Sequence, residues 1–278
     1  MRALLNKFDN FTRTCKFAAL FGAGLIIAGC SALPDKTDET ATWANAKLYS
    51  EAQDALNGKD YGKCVKYFET LEGRDPFGPN AQQAQINVAY CNWKDNEQDA
   101  AKTAIDRFIR LHPDHPSIDY AYYLKGLITF NDDLGLFGRF SGQDLSERDP
   151  QALRDSYDAF KVVVDKYPHS KYAPDAAQRM RYIVNALASH EVHSAQYYYN
   201  RGAYIAAVNR AQSAVKMYQN APAIEDALHI MVLSYRKLGE TKLADDTQSV
   251  LAATFPNSPY LPGNAGKRAP GKPWYQIW

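Results

Sequence analysis

The stretch Ala101-Lys102-Thr103-Ala104-Ile105-Asp106-Arg107-Phe108-Ile109-Arg110-Leu111-His112-Pro113 decides the fold, because its frame returns four more times. A small residue opens it, an apolar residue stands seven further on, and proline closes it. The same frame reads Cys64, Leu71 and Pro76, then Ser156, Val163 and Pro168, then Ala244, Leu251 and Pro256. A further copy, Ala207 and Ala214, closes on Gln219 where the others have proline. Seven residues make about two helical turns, so both slots share one helix face. The small slot lets a neighbouring helix approach, and the apolar slot fills the groove between helices. A proline pushes the residue before it out of the helical region, which ends the helix.

The closing positions lie 37, 55, 51 and 37 residues apart. A tetratricopeptide unit has about 34 residues. Both longer intervals can be located. A loop from about Asn131 to Pro150, with Gly135, Gly138 and Gly142, divides the third pair. The fourth pair has a long first helix, from Pro174 to Arg201, stopped by Gly202. No run shows strand-like alternation. The reading is all-α: an α-solenoid of five tetratricopeptide-like helix pairs over 43–256. One pair cannot bury its own apolar face, so neighbours supply the core.

The two ends read differently. Arg2, Lys7, Arg13 and Lys16 make a basic start, and Phe17 to Gly29 is uncharged. That run is too short to span a bilayer and suits a secretory signal. It ends Ile27-Ala28-Gly29-Cys30, a lipobox-like junction. Residues 1–29 are therefore read as a lipoprotein signal peptide, Cys30 as the lipidation site, and 30–42 as a lipidated tether. The expected attachments are diacylglycerol and an acyl chain such as palmitate on Cys30. Ser31 after the cysteine favours outer-membrane sorting by analogy with other lipoproteins. Residues 257–278 form a Pro/Gly-rich aromatic tail with Lys267, Arg268 and Lys272, ending Trp274-Tyr275-Gln276-Ile277-Trp278. Such a composition reads either as an unstructured end or as a docking peptide.

Charge and motifs exclude several functions. Removing a segment carrying +3 from a chain of +1 leaves about −2, so overall charge does not draw this protein to nucleic acid. His190-Glu191-Val192-His193 lacks the zincin spacing and a third ligand, so no metal is expected. The glycines at 135–142 lack a preceding strand and a Gly-Lys-Ser/Thr ending. No nucleophile elbow occurs, so neither catalytic residues nor a cofactor is expected. Cys64 and Cys91 remain after Cys15 leaves with the signal and Cys30 is acylated. Adjacent helices could bring them together as a disulfide, or both could be buried small residues; the sequence leaves both readings open. Tyr197-Tyr198-Tyr199 cannot all face inward on a helix, since neighbours point about 100° apart.

The ordered set of motifs resembles a known family. Tyr167-Pro168-His169-Ser170-Lys171-Tyr172-Ala173-Pro174-Asp175-Ala176, Arg107 to Pro113, Tyr197-Tyr198 followed by Arg201-Gly202-Ala203-Tyr204, and Asp226-Ala227-Leu228 look like the BamD (ComL) family of outer-membrane protein assembly factors. The resemblance covers about Trp43 to Pro259. It implies a non-enzymatic scaffold of the β-barrel assembly machine, anchored on the periplasmic face of the outer membrane. Its implied partners are the POTRA region of the barrel subunit BamA, other lipoproteins of the machine, and unfolded outer-membrane proteins. Carried over by motif, Arg201, Tyr204, Asn209 and Arg210 are expected at the BamA contact. Tyr61, Tyr67, Phe77, Tyr90, Trp93 and Arg107, on the first two pairs, are expected to meet unfolded clients. The competing reading is a pilotin-like tetratricopeptide lipoprotein for pilus or secretin assembly.

Overall fold

The computed structural model describes residues 39–130 and 150–264. A short turn, closed by Trp43 N donating to Thr40 O at 2.8 Å, lies before a compact body that begins at Asn45. Among the described residues that body holds ten helices and no strand: α1 Asn45–Asn57, α2 Tyr61–Arg74, α3 Ala81–Lys94, α4 Gln98–Leu111, α5 Ile118–Phe130, α6 Pro150–Lys166, α7 Ala173–Asn200, α8 Tyr204–Met217, α9 Ile224–Leu238 and α10 Thr241–Thr254. Each helix packs chiefly on its neighbours in sequence, and contact also joins α7 to α9 and α3 to α5. This is the tetratricopeptide-like all-α solenoid that the repeated frame predicts.

The frame maps onto the packing. All five small slots and all five apolar slots are buried. The cap residue of each second helix, Asp75, His112, Tyr167, Tyr218 and Phe255, donates its backbone N–H to the carbonyl of the apolar-slot residue four positions back. Tyr218 closes α8 with the same bond as the others (2.9 Å), although Gln219 rather than proline follows. The helix stop is thus made by the cap geometry, and proline only reinforces it.

A second rule governs the turn inside a pair. Lys59, Asn96, Gly202 and Gly239 all sit at positive φ (61°, 65°, 76° and 80°), each 17 residues before a closing position. A left-handed residue lets the chain reverse between antiparallel helices, and glycine adopts it without strain. The long helix of the fourth pair, expected from Pro174, runs from Ala173 to Asn200, and Gly202 ends it. The third-pair loop lies outside the described residues apart from Pro150, which opens α6.

Buried clusters run along the body, three of them over α3 to α10 among the described residues. One joins α3, α4 and α5 around Phe108 and Leu124. One joins α5, α6 and α7 around Phe160 and Ile183. One joins α7 to α10 around Ile224, Leu228 and Leu251. The elements α5 and α6 approach closely at Gly126 in α5, where an added Cβ would fall 2.5 Å from the Phe160 ring. There Ser156 Oγ, the small slot of the third pair, donates to Gly126 O at 2.9 Å.

Candidate functional site

Two surfaces collect the residues that the sequence singles out. The first begins on the first two pairs. Cys64 of α2 and Cys91 of α3 form a disulfide with Cα atoms 6.2 Å apart, which ties the first pair to the second. Beside it, Tyr90 and Trp93 meet edge to face at 5.9 Å, and Lys94 lies over the Trp93 ring at 3.8 Å. Burial, and then the nearby Tyr61 hydroxyl, push the Tyr90 phenol above its usual value. Tyr90 and Trp93 are therefore brought together, with Tyr61 on the neighbouring α2.

The other three client candidates part company with them. Tyr67 is buried in the core of the first pair, so it supports the fold and is not presented to a client. Phe77 is 99% exposed at the corner between α2 and α3. Arg107 is engaged within the chain: its Nη2 donates to Glu72 Oε2 at 2.8 Å. Gln85 Nε2 donates to the other Glu72 oxygen at 3.1 Å, and His112 Nε2 lies 2.9 Å from Gln85 Oε1. This network holds α2, α3 and α4 in register.

The aromatic surface continues over residues that the sequence reading did not assign to a client. Tyr120 and Tyr123 of α5 flank Tyr172, with centroids 5.2 and 4.8 Å away, the second pair stacked. Tyr123 donates its hydroxyl to Asp175 Oδ2 at 2.7 Å, and Arg179 Nε reaches the same oxygen at 2.7 Å. Burial, then its hydrogen bond to Asp175, raises the Tyr123 phenol to about 12. Burial raises Asp175 in turn, but hydrogen bonds from Tyr123 and Arg179 and the Arg179 charge outweigh it, so Asp175 stays below its ordinary value. A half-buried aromatic tract thus runs over the first helices of the second to fourth pairs, ending in a fixed carboxylate–guanidinium pair. The density of tyrosine in Tyr120-Ala121-Tyr122-Tyr123 was the signal available in the sequence.

The second surface is the hairpin of α7 and α8. Of the three consecutive tyrosines, Tyr197 is exposed while Tyr198 and Tyr199 pack on the C-terminal cluster. The Arg201 guanidinium lies 5.2 Å from the Tyr197 ring centroid, and Tyr199 meets Tyr204 across the turn at 5.6 Å. Ile205 is 67% exposed and Asn209, one turn on, is exposed too. Arg201, Tyr204 and Asn209 thus share a surface with Ile205, which the motif reading missed. Arg210 differs. Its Nη1 lies 3.3 Å from Glu191 Oε2, and that carboxylate is buried. The His190-Glu191-Val192-His193 segment therefore contributes an internal ion pair between α7 and α8. Cys30 lies outside the described residues, and among those described no three His, Cys, Asp or Glu side chains gather in a metal-holding group.

These surfaces belong to a chain with clear relatives. The family model described as "Outer membrane lipoprotein" matches residues 42–251. The "Outer membrane protein assembly factor BamD" of Neisseria meningitidis serogroup B (strain MC58) is 46% identical over 258 residues, 92% of this chain and 96% of that one. The chain belongs to the BamD family. The family member of Neisseria gonorrhoeae is 45% identical over the same shares. That of Xylella fastidiosa (strain Temecula1) is 34% identical over 91% of this chain and 86% of its own. The BamD family match spans both surfaces, including the aromatic tract and the α7–α8 hairpin.

Proposed function

We propose that this chain is a non-enzymatic scaffold of the outer-membrane β-barrel assembly machine, lipidated at Cys30 and held on the periplasmic face of the outer membrane. Its α7–α8 hairpin engages the POTRA region of the barrel subunit, and its aromatic tract holds unfolded outer-membrane proteins. The observation that carries the reading is family membership over nearly the whole length, with relatives named as outer membrane protein assembly factors. The two surfaces support the division of labour. Exposed Ile205 beside Tyr204 and Arg201 has the apolar, aromatic and arginine content of a partner anchor. Half-buried rings with few fixed polar groups can take an extended aromatic segment while leaving it free to be released.

The test is a pull-down of the tagged protein from outer membranes in mild detergent. A large barrel protein with POTRA domains is expected, and Ile205→Asp should abolish its recovery while helical content is unchanged. Arg210 is the wrong first choice, because changing it strands buried Glu191 and disturbs the hairpin itself. Separately, Trp93→Ala with Tyr123→Ala should weaken capture of unfolded barrel segments and leave the barrel partner bound. Recovery of a secretin or a pilus component in place of the barrel protein would overturn the reading.

A further inference from the structure

Residues 255–264 fold back as a strap over α9. The Tyr260 ring stacks flat on His229, with centroids 3.9 Å apart and planes 6° from parallel. Its hydroxyl donates to Asp226, and Tyr260 and Leu261 pack against the C-terminal cluster. The strap therefore serves the fold. A polar stripe on α3 does not. Gln83, Asn87, Tyr90 and Lys94 recur at helical spacing, and at about 100° per residue they fall within about 60° of one another. Gln83, Tyr90 and Lys94 are half-buried. The stripe is about 16 Å long, which matches about five residues of extended chain.

Asn87 is the anomaly in that stripe. It is only 8% exposed. Gln83 Nε2 donates to its Oδ1 at 3.0 Å, but its Nδ2 has no partner. Turning both amides over exchanges the free donor for a free acceptor, and one atom of Asn87 stays unbonded either way. A buried polar atom without a partner destabilises a fold, and native interiors keep few of them. The position adjoins the aromatic tract. Tyr90 stands three residues on, and its ring meets Trp93. Burial, then the Tyr172 and Tyr90 phenols, raise the Tyr120 phenol of α5, which places the stripe beside the next first helix.

We infer that Asn87 binds the main chain of the client, pairing with a peptide unit of an extended, unfolded barrel segment; this rests on the client-holding role proposed above for the aromatic tract. In an extended chain the N–H and C=O of one residue point to the same side. The Asn87 carboxamide matches that pair: its oxygen accepts the N–H and its nitrogen donates to the C=O. The client N–H takes over the bond that Gln83 now makes, and Gln83, half-buried at the surface, turns to water. Main-chain contacts are the same for every sequence, while rings such as Tyr90 and Trp93 select side chains. One groove can therefore take many clients that share only an extended, aromatic character.

The test uses the full chain in mild detergent and a synthetic peptide copying one strand of a barrel protein. Single ester bonds replace its amides in turn, each removing one N–H and weakening one C=O. At one position or two adjacent ones, the ester should weaken binding to the unaltered protein about three- to tenfold, the worth of a net hydrogen bond. Asn87→Leu, of nearly the same size, should bind the parent peptide more weakly by a similar factor and lose its sensitivity to those esters. Its urea midpoint should hold or rise, because the unbonded atom is gone, and recovery of the barrel partner should not change. The inference is overturned if no single ester weakens binding, or if Asn87→Leu binds and responds to esters as the unaltered protein does. A fall in its urea midpoint would equally overturn it and make Asn87 a residue that supports the fold. An unaltered protein that binds no such peptide instead refutes the client role of the tract, and this inference with it.

Discussion

Lys59 and Asn96 occupy the left-handed position that Gly202 and Gly239 fill in later pairs. A side chain at positive φ costs about 1 kcal/mol, less for asparagine, whose amide tolerates this region. Lys59→Gly should therefore raise stability, by about 0.5–1 kcal/mol, and Gly202→Ala should lower it by about 1 kcal/mol. Nothing lies within 4 Å of a Cβ built on Gly202, so the loss comes from the backbone alone. Urea unfolding monitored by circular dichroism reads both, and a neutral Gly202→Ala would refute the argument. Glu191 offers the opposite case, a buried charge that depends on one partner. Arg210→Ala leaves its carboxylate unsatisfied and should cost about 1–3 kcal/mol. Double replacement, with Glu191→Gln as well, should recover much of that loss. These positions also show what sequence can convey. Gly202 was legible because glycine is rare inside a long helical run, whereas Lys59 has the same φ and gives no such signal. The burial of Tyr67 was equally hidden: a tyrosine one turn from the small slot reads the same whether it faces the core or the solvent.

At the level of elements, the five frames were legible because burial and capping impose them on every pair. The aromatic tract was not, since it joins three first helices and depends on which faces they share. The same holds for the strap, whose residues after Ser258 read as the start of a Pro/Gly-rich tail and are instead held on α9 through Tyr260. The strap has a titratable contact. Burial lowers the His229 pKa, Arg236 lowers it further, and the Asp226 carboxylate opposes both. A base whose folded pKa lies below its ordinary value stabilises the fold fully above that value, about 6.5, and loses this contribution as pH falls. The strap should loosen below about pH 6.5, seen as faster amide hydrogen exchange at Tyr260 to Asn264 after correction for intrinsic rates. His229→Phe keeps a ring beneath Tyr260 and removes the proton, so it should abolish the pH dependence. A strap whose exchange loosens equally in that variant would assign the effect to another group.

Across the whole helical body, contacts run between neighbours, and no helix of the first two pairs packs extensively on the last two. Stability in such an arrangement is close to a sum of pair and interface contributions, so a local insult should stay local. The Cys64–Cys91 disulfide is the sharpest available insult because it lies at one end and closes a loop of known length. A sequence separation of 27 corresponds to about 3–4 kcal/mol of loop-closure entropy removed from the unfolded chain. Cys64→Ala with Cys91→Ala keeps small residues at both buried positions, so most of the expected loss reflects the missing cross-link. Hydrogen exchange should then accelerate most in α1 to α3, less in α4 and α5, and hardly at all in α7 to α10. Capture of unfolded clients should weaken with it, because Tyr90, Trp93 and Tyr61 stand on the two helices that the disulfide joins. Recovery of the barrel partner through the α7–α8 hairpin should be unchanged. If protection falls uniformly from α1 to α10, the pairs unfold as one cooperative unit and the two surfaces cannot be perturbed separately. If it falls only near the disulfide while partner recovery holds, client capture and partner docking occupy thermodynamically independent ends of one chain.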